Sequence, residues 1–474
     1  MSISALRWSF AQQLSRQIIS IVVYLVLAKL LSPVDFGLVA IAAVWIAVST
    51  LFLDSGFGTA LIQKKDAGDE HYSSVFVVNI CAGFFVYLLI YLGSPALSSY
   101  YKQPELIDIL RVMAISVIFT AIASTKISIA QKAMNFRMLT IRDVSAVLAG
   151  GCGGILAALY GYGVWSLVLQ AVTTSVILSL ITWKVVAWNP NLFLVSLRSI
   201  KDLWGFSSKI FLFGLLKLLS QSVDIILIGL LLNPAAVGLY AFSTKTIIMP
   251  ISSIRAAYGA YLFPRFSTIQ GDTVKISFEY TDSIKRISYF VTPILLVAYF
   301  LSDDAIVNFF DKPWHSAIEL IRIVTFVALM QSVIAPIGEL IKAIGRPGLL
   351  VLWGGGFTAA SVCAIYFGTY FQLMGVAWAL LLVNMGGVAA CIIISGRLIK
   401  APLRLLFRIY TLPIIFFTVL VFIGNLIESV LVVSTFLTSV AILLLLLLLY
   451  VFALQYWDPA YLKSWCNIVR RAPR

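Results

Sequence analysis

Charged side chains interrupt the long apolar stretches of this sequence, where an isolated charge is costly. Arg16 and Lys217 stand within two such stretches, and Lys245 and Arg255 stand within a third. A charged residue at the centre of a membrane-spanning helix costs ~2.5–3.5 kcal/mol on insertion scales, so it normally faces a partner or a water-filled cavity. These four cations are therefore our candidates for binding an anionic ligand.

Three acids lie in the same kind of environment: Asp54, Asp224 and Glu339. One interpretation is that they form structural ion pairs, since Glu339 stands three residues before Lys342 and Asp224 is expected at the depth of Lys245. The other interpretation is that they couple transport to a cation, H⁺ or Na⁺. The sequence leaves both interpretations open.

The cations outnumber the acids in the helices that carry them. Even if Asp54 pairs with Arg16 and Asp224 pairs with Lys245, Lys217 and Arg255 are left without a counter-charge. A net cationic, water-filled cavity is the simplest place for them. A proline in the same run as Arg255, Pro250, is a candidate hinge, although passive kinking explains it equally well.

Composition identifies the elements that must position these residues. Of 474 residues, 61% are hydrophobic and 11% are charged, with a mean hydropathy of +1.01, whereas a soluble domain is typically ~45–50% apolar and ~25% charged. A membrane-spanning helix needs ~20 apolar residues, and the long runs lack β-barrel alternation, so they predict an all-α polytopic membrane protein. About fourteen transmembrane helices are expected, near residues 10–31, 37–63, 72–93, 107–129, 143–160, 164–187, 205–231, 236–266, 279–301, 316–341, 348–370, 374–398, 403–424 and 428–454.

Basic residues in the connecting segments set the orientation, because Lys and Arg accumulate on the cytoplasmic side. With a cytoplasmic N-terminus, the outer connections hold only Lys29, Lys102 and Lys312. This asymmetry predicts that both termini are cytoplasmic, and it accounts for the net charge of +14. The charge is spread over many short inner loops, so membrane topology explains it better than nucleic-acid binding does.

No catalytic residue, metal site or cofactor is expected. The two histidines, His71 and His315, are predicted on opposite sides of the membrane, and the five cysteines follow no metal-ligand spacing. A phosphate-binding loop of the pattern G-x-x-x-x-G-K-[ST] is absent from the sequence. The longest outer connections, near 94–106 and 302–315, are too short for a catalytic domain, and the acids of the second are expected to be solvated.

The chain carries an internal repeat. LLSPVDFGLVA at 30–40 returns as LLNPAAVGLYA at 231–241, and this offset pairs Arg16 with Lys217 and Asp54 with Arg255. We predict two parallel-oriented six-helix repeats, residues 1–200 and 201–402, followed by two further helices and a basic tail in 403–474. Parallel repeats of this kind build transporters with a site between the halves. The repeated segment itself is interpreted as a tight helical hairpin turn and not as a binding site.

LLSPVDFGLVAIA at 30–42, followed by LDSGFGTALIQKK at 53–65, resembles the opening of the polysaccharide repeat-unit flippases of the Wzx type. These belong to the multidrug/oligosaccharidyl-lipid/polysaccharide exporter (MOP) superfamily, which has the MATE-like fold. The nearest subgroup resembles colanic-acid and related exopolysaccharide exporters. The resemblance extends over the whole chain, but its motif says little about the sugar.

The resemblance implies a function. Such a protein would move an undecaprenyl-diphosphate-linked oligosaccharide from the inner to the outer leaflet of the bacterial inner membrane by alternating access, driven by a cation gradient or the membrane potential. Membrane lipid, a polysaccharide polymerase and chain-length machinery would be its partners. Two alternatives remain: a cation-coupled exporter of drugs or other small molecules on the same fold, and a membrane glycosyltransferase or polymerase.

Overall fold

The computed structural model describes the backbone of residues 3–54, 56–430 and 436–457, and the side chains of these residues apart from 3–14, 54, 213, 347, 456 and 457. The predicted basic tail therefore lies outside the described residues. Within them every regular element is helical. There are three short 3₁₀ turns, Leu192–Leu194, Lys312–Trp314 and Thr369–Phe371, and seventeen α-helices. The α-helices are α1 Ile3–Leu30, α2 Pro33–Asp54, α3 Phe57–Gln63, α4 Asp69–Tyr101, α5 Leu106–Met113, α6 Ile115–Lys132, α7 Phe136–Leu159, α8 Val164–Val185, α9 Leu197–Leu231, α10 Pro234–Thr268, α11 Thr273–Phe309, α12 Ala317–Ile334, α13 Pro336–Ala343, α14 Pro347–Gly368, α15 Gln372–Ile399, α16 Leu403–Val430 and α17 Phe436–Trp457.

Each of the fourteen predicted apolar runs corresponds to one helix or to one broken helix. Eleven helical stretches in the described residues are long and apolar enough to cross a membrane, and one of them, Gly348–Ile399, contains both α14 and α15. The all-α, multi-pass prediction is thus confirmed. Several helices are longer than their apolar runs, because polar turns at the ends continue the helix.

Three predicted spans are broken. The run 107–129 divides into α5 and α6 at Ala114. The run 37–63 divides into α2 and α3 next to Gly56, whose φ of 76° is in the left-handed region that glycine adopts without a Cβ penalty. The run 316–341 divides into α12 and α13 at Ala335, directly before Pro336. Proline has no backbone N–H to continue the helical hydrogen bonds, so it starts a new helix there.

The predicted outer loop 302–315 is wrong over its first eight residues. Helix α11 continues to Phe309, so Asp303 and Asp304 are helical rather than in a solvated loop. Asp303 forms an ion pair with Arg322 of α12. A charged partner on the neighbouring helix makes this end of α11 part of the packed structure.

The contacts of the chain define two units, Met1–Ala241 and Phe242–Arg474. The first unit contains α9 and the first turns of α10 in addition to α1–α8. Within it, α9 packs on α2, α3 and α4. The repeat boundary expected at residue 200 is a statement about sequence similarity, and it stays a prediction.

The two copies of the repeated turn pack directly on each other within the first unit. Each begins with a proline at the start of its helix, Pro33 in α2 and Pro234 in α10. A Cβ added to Gly37 would lie 1.7 Å from the backbone oxygen of Pro234, and one added to Gly238 would lie 1.8 Å from that of Pro33. The absence of a side chain at both glycines is therefore what allows the two backbones to cross at this distance.

A buried lysine stabilises the end of a helix in the first unit. Lys126 of α6 is 1% exposed. Its Nζ donates to the carbonyl oxygens of Val186 at 2.9 Å and Trp183 at 3.4 Å, and it lies 3.9 Å from the centre of the Trp183 ring. Helix α8 ends at Val185, so the ammonium satisfies carbonyls that no helical N–H reaches and opposes the negative end of the helix dipole.

We expect Lys126→Met to lower the free energy of unfolding by ~1–3 kcal/mol, because buried carbonyls lose their donor. The measurement is the thermal unfolding midpoint of the purified protein in detergent. Lys65→Met is the control, since Lys65 is exposed. Equal midpoints for the two variants would show that the contact of Lys126 with the end of α8 contributes nothing.

Candidate binding cavity around Arg255

A cavity of about 380 Å³ lies within the second unit. Its walls come from five parts of the fold: α10, α11, the α12–α13 break, α14 and α15. Arg255 of α10 lines it half-buried, and its Nη1 donates to Oε1 of Gln331 on α12 at 2.9 Å. The cavity thus combines one of the sequence-predicted cations with an amide from the neighbouring helix.

The charge of Arg255 is not neutralised by the acid of the same cavity. Glu339 of α13 is held by Lys342, whose Nζ lies 2.7 Å from Oε1 and 2.6 Å from Oε2. No carboxylate of the described residues forms an ion pair with Arg255, whose recorded partner is the neutral Gln331. A guanidinium has five N–H donors in a planar fork, so most of its donor capacity is available to an anionic ligand.

Asn384 of α15 adds an unsatisfied acceptor to the same wall. Its side chain is 2% exposed, and its Nδ2 donates to the carbonyl of Leu380 at 2.8 Å. Its Oδ1 has no hydrogen-bond partner although the residue lines the cavity. Buried polar atoms are almost always paired, so this oxygen is available to accept a hydrogen bond from a donor such as a water molecule or a ligand hydroxyl.

The other predicted cations lie elsewhere. In the first unit, Arg16 is exposed, with Nη1 4.0 Å from Oδ2 of Asp143, which is bound more closely by Arg142 at 2.6 Å. Lys217 is exposed on α9 and makes no side-chain hydrogen bond or ion pair within the described part of the chain. Lys245 is exposed on α10, ten residues before Arg255. Described contacts do not join Arg16 to Lys217, so each is a separate candidate.

The predicted acids also separate. Asp224 accepts a hydrogen bond from the hydroxyl of Tyr240 at 2.7 Å and one from the N–H of Ile225 at 2.9 Å. Glu339 makes the ion pair with Lys342 that the sequence suggested. The side chain of Asp54 lies outside the described residues.

The candidate hinge Pro250 lies inside α10, which continues from Pro234 to Thr268 as one helix. The helix therefore tolerates this proline without ending. Whether the helix bends there during function stays a prediction.

Sequence analysis missed Gln331, Asn384 and two aromatic residues of the cavity wall, Trp353 and Phe357. The amides carried a usable signal, since each is an uncharged polar residue within an apolar run, VALMQSVIAP and LLLVNMGGV. A search for charged residues alone does not find these two amides. The aromatic residues had no signal, because aromatic side chains are common on lipid-facing helices.

Comparisons with known proteins agree with this architecture. The sequence matches the family described as polysaccharide biosynthesis protein over residues 26–319. It is 25% identical over 393 residues to the teichuronic acid biosynthesis protein TuaB of Bacillus subtilis strain 168, which covers 81% of this chain and 80% of that protein.

Two solved structures share the fold. The lipid II flippase MurJ in its inward closed conformation has a TM-score of 0.74 at 16% identity, covering 95% of this chain and 99% of that one. An inward-facing multidrug resistance MATE family transporter of the MOP superfamily has a TM-score of 0.65 at 15% identity, covering 84% of this chain and 99% of that one. The predicted MATE-like fold is confirmed. Since the family match covers more than half of the sequence, this chain belongs to the polysaccharide biosynthesis protein family.

Proposed function

We propose that the protein is a flippase for a lipid-linked oligosaccharide, which it moves from the inner to the outer leaflet of the bacterial inner membrane by alternating access through a cationic cavity. The observation that carries the proposal is Arg255, a half-buried cation that lines a cavity without a carboxylate partner among the described residues. Family membership and the fold shared with a lipid II flippase support it.

The chemistry of the cavity suits a diphosphate. Arginine presents parallel N–H donors that bind two phosphate oxygens at once, and such charge-assisted bonds are about twice as strong as neutral ones. We propose Arg255 as the principal contact, and Lys245, which lies ten residues earlier on the same helix and outside the cavity lining, as a cation that assists at another stage of transport. Arg16 and Lys217, both exposed cations of the first unit, are proposed to assist at other stages of transport.

Coupling to a cation, H⁺ or Na⁺, is proposed through an intramembrane acid. Glu339 is the candidate in the cavity, and its pair with Lys342 means that coupling would require the two to separate. Asp54 and Asp224 are the corresponding candidates of the first unit. In the second unit, Pro250 is the proposed point of bending.

The proposed setting is a multi-pass inner-membrane protein with both termini in the cytoplasm, acting beside a polymerase and chain-length machinery. An exporter of cationic drugs on the same fold is less well supported, because such a substrate favours an uncompensated acid, whereas Glu339 is paired. A glycosyltransferase or polymerase is less well supported by the fold, since both structural relatives named above are described as a flippase or a transporter.

The test is reconstitution into liposomes that carry a fluorescent undecaprenyl-diphosphate-linked sugar. We expect the protein to make the inner-leaflet fraction of the label accessible to an added quencher faster than in protein-free liposomes. A cation gradient is imposed in each direction in turn. The proposed function is ruled out if, in both cases, the inner-leaflet label becomes accessible to the quencher no faster than in protein-free liposomes.

A further inference from the structure

A second, wholly apolar groove lies beside the Arg255 cavity in the second unit. It has a volume of about 430 Å³ and runs between α14 and α15; we call it the α14–α15 groove, lined by Leu352, Gly356, Ala360, Gly386 and Ala390 among others. Trp353 and Phe357 line both the groove and the Arg255 cavity. The polar site and the apolar groove are therefore neighbours that share an aromatic wall.

Small residues keep this groove open. A Cβ built on Gly356 or on Gly386 would meet no atom within 4 Å, and both residues are exposed. The stretch that contains them, Gly348–Ile399, has an 18-residue window with a mean hydropathy of 2.2, and only 28% of that window is buried in the protein. The groove thus opens on a surface that would otherwise meet lipid tails.

The Arg255 cavity provides the polar groups beside this groove. Asn384 stands on α15 two residues before Gly386; it lines the cavity, and its buried Oδ1 has no hydrogen-bond partner among the described residues. Arg255 supplies the positive charge of the same cavity. A molecule that satisfies both features has an anionic head that also carries a hydrogen-bond donor, and an apolar chain that leaves it past Trp353 and Phe357.

We propose that the α14–α15 groove binds the isoprenoid chain of the lipid-linked substrate while its diphosphate lies at Arg255 and a hydroxyl of its sugar donates to Oδ1 of Asn384. This inference rests on the proposed function and adds a place for the tail within one unit of the protein. A single-chain lipid is favoured over a phospholipid, because the α14–α15 groove is one apolar channel that shares its aromatic wall with the Arg255 cavity.

The experiment fills the groove. Gly356→Leu places a side chain in the groove, where its Cβ meets no atom within 4 Å, and Gly386→Leu does the same from α15. Gly355→Leu is the matched control, because a Cβ at Gly355 also meets open space but this residue does not line the groove. Binding of undecaprenyl diphosphate, inorganic pyrophosphate and dioleoyl phosphatidate is measured with purified protein in phosphatidylcholine nanodiscs.

We expect Gly356→Leu and Gly386→Leu to weaken undecaprenyl diphosphate binding ~10-fold, with pyrophosphate binding unchanged and Gly355→Leu like wild type. Unaltered undecaprenyl diphosphate affinity in both groove variants, each verified as monodisperse, would overturn the groove assignment. An equal loss of phosphatidate binding would also overturn it, since the groove would then be a general lipid site. Failure of wild type to bind either diphosphate would instead count against the proposed function.

Discussion

Export of polysaccharide is expected to fall ~100-fold when Arg255 is replaced by alanine. The loss corresponds to about 3 kcal/mol, the magnitude expected when a bidentate, charge-assisted contact to a diphosphate is removed. Arg255→Lys keeps the charge but not the fork of donors, so an intermediate rate is expected. The measurement is polymer export by a strain that lacks its own copy of this protein, at matched levels of each variant.

Arg265→Ala is the control for this result. Arg265 lies on the same helix but is paired with Glu279 and 47% exposed, so its loss is expected to leave export near wild type. Alanine variants of Arg16, Lys217 and Lys245, and the Lys217/Arg255 double variant, extend the series. If every one of them, Arg255→Ala included, exports polymer normally, the assignment of these cations to the substrate is wrong.

A single methyl group at Gly37 or Gly238 should prevent correct folding. At 1.7 and 1.8 Å from a backbone oxygen, the added Cβ in Gly37→Ala or Gly238→Ala is far inside contact distance, and the backbones of α2 and α10 must separate. Overpacking typically costs ~1–3 kcal/mol, and more where backbone has to move. The expected result is loss of the monodisperse peak in fluorescence-detected size-exclusion chromatography.

Gly93→Ala is the matched control, because Gly93 also lies in a helix, α4, but a Cβ there meets nothing within 4 Å. That variant should be neutral or more stable by ~0.5–1 kcal/mol, since alanine favours the helix. A Gly37→Ala protein as stable and active as Gly93→Ala would show that the crossing of the two turns is not needed for the fold.

Most of the fold follows from the sequence, because an apolar run longer than a bilayer is thick has few alternatives to a helix. The points at which a predicted span divides into two helices are harder to predict from the sequence. Pro336 signals one, whereas the break near Gly56 depends on a left-handed conformation that many glycines never adopt. The predicted end of α11 was wrong because Asp303 belongs to a polar segment of the sequence, which is typical of a loop. In the structure its charge is neutralised by Arg322 of the neighbouring helix, so the helix continues.

The candidate site was only partly predictable. Arg255 was found because charge in an apolar run is rare. A pair of Glu339 with Lys342 was one of the two interpretations that the sequence left open, since a spacing of three residues places both on one helix face, and the structure contains this pair. Gln331 and Asn384 come from helices far away in sequence, and no local pattern says that Gln331 contacts Arg255 or that Asn384 lines the same cavity. The repeat revealed that a turn occurs twice, but similarity between two segments gives no information about whether they touch.

The first unit, finally, is still incomplete when the ribosome has made residues 1–200, the predicted first repeat. Helix α9 and the opening turns of α10, up to Ala241, belong to it in space although they follow residue 200 in sequence. At ~5–20 residues per second, translation of the ~40 missing residues takes ~2–8 s. During that interval the faces of α2, α3 and α4 that receive α9 must be covered by lipid or by the insertion machinery. Biogenesis of this protein is thus expected to be more sensitive to elongation speed just after residue 200 than at other points of the chain.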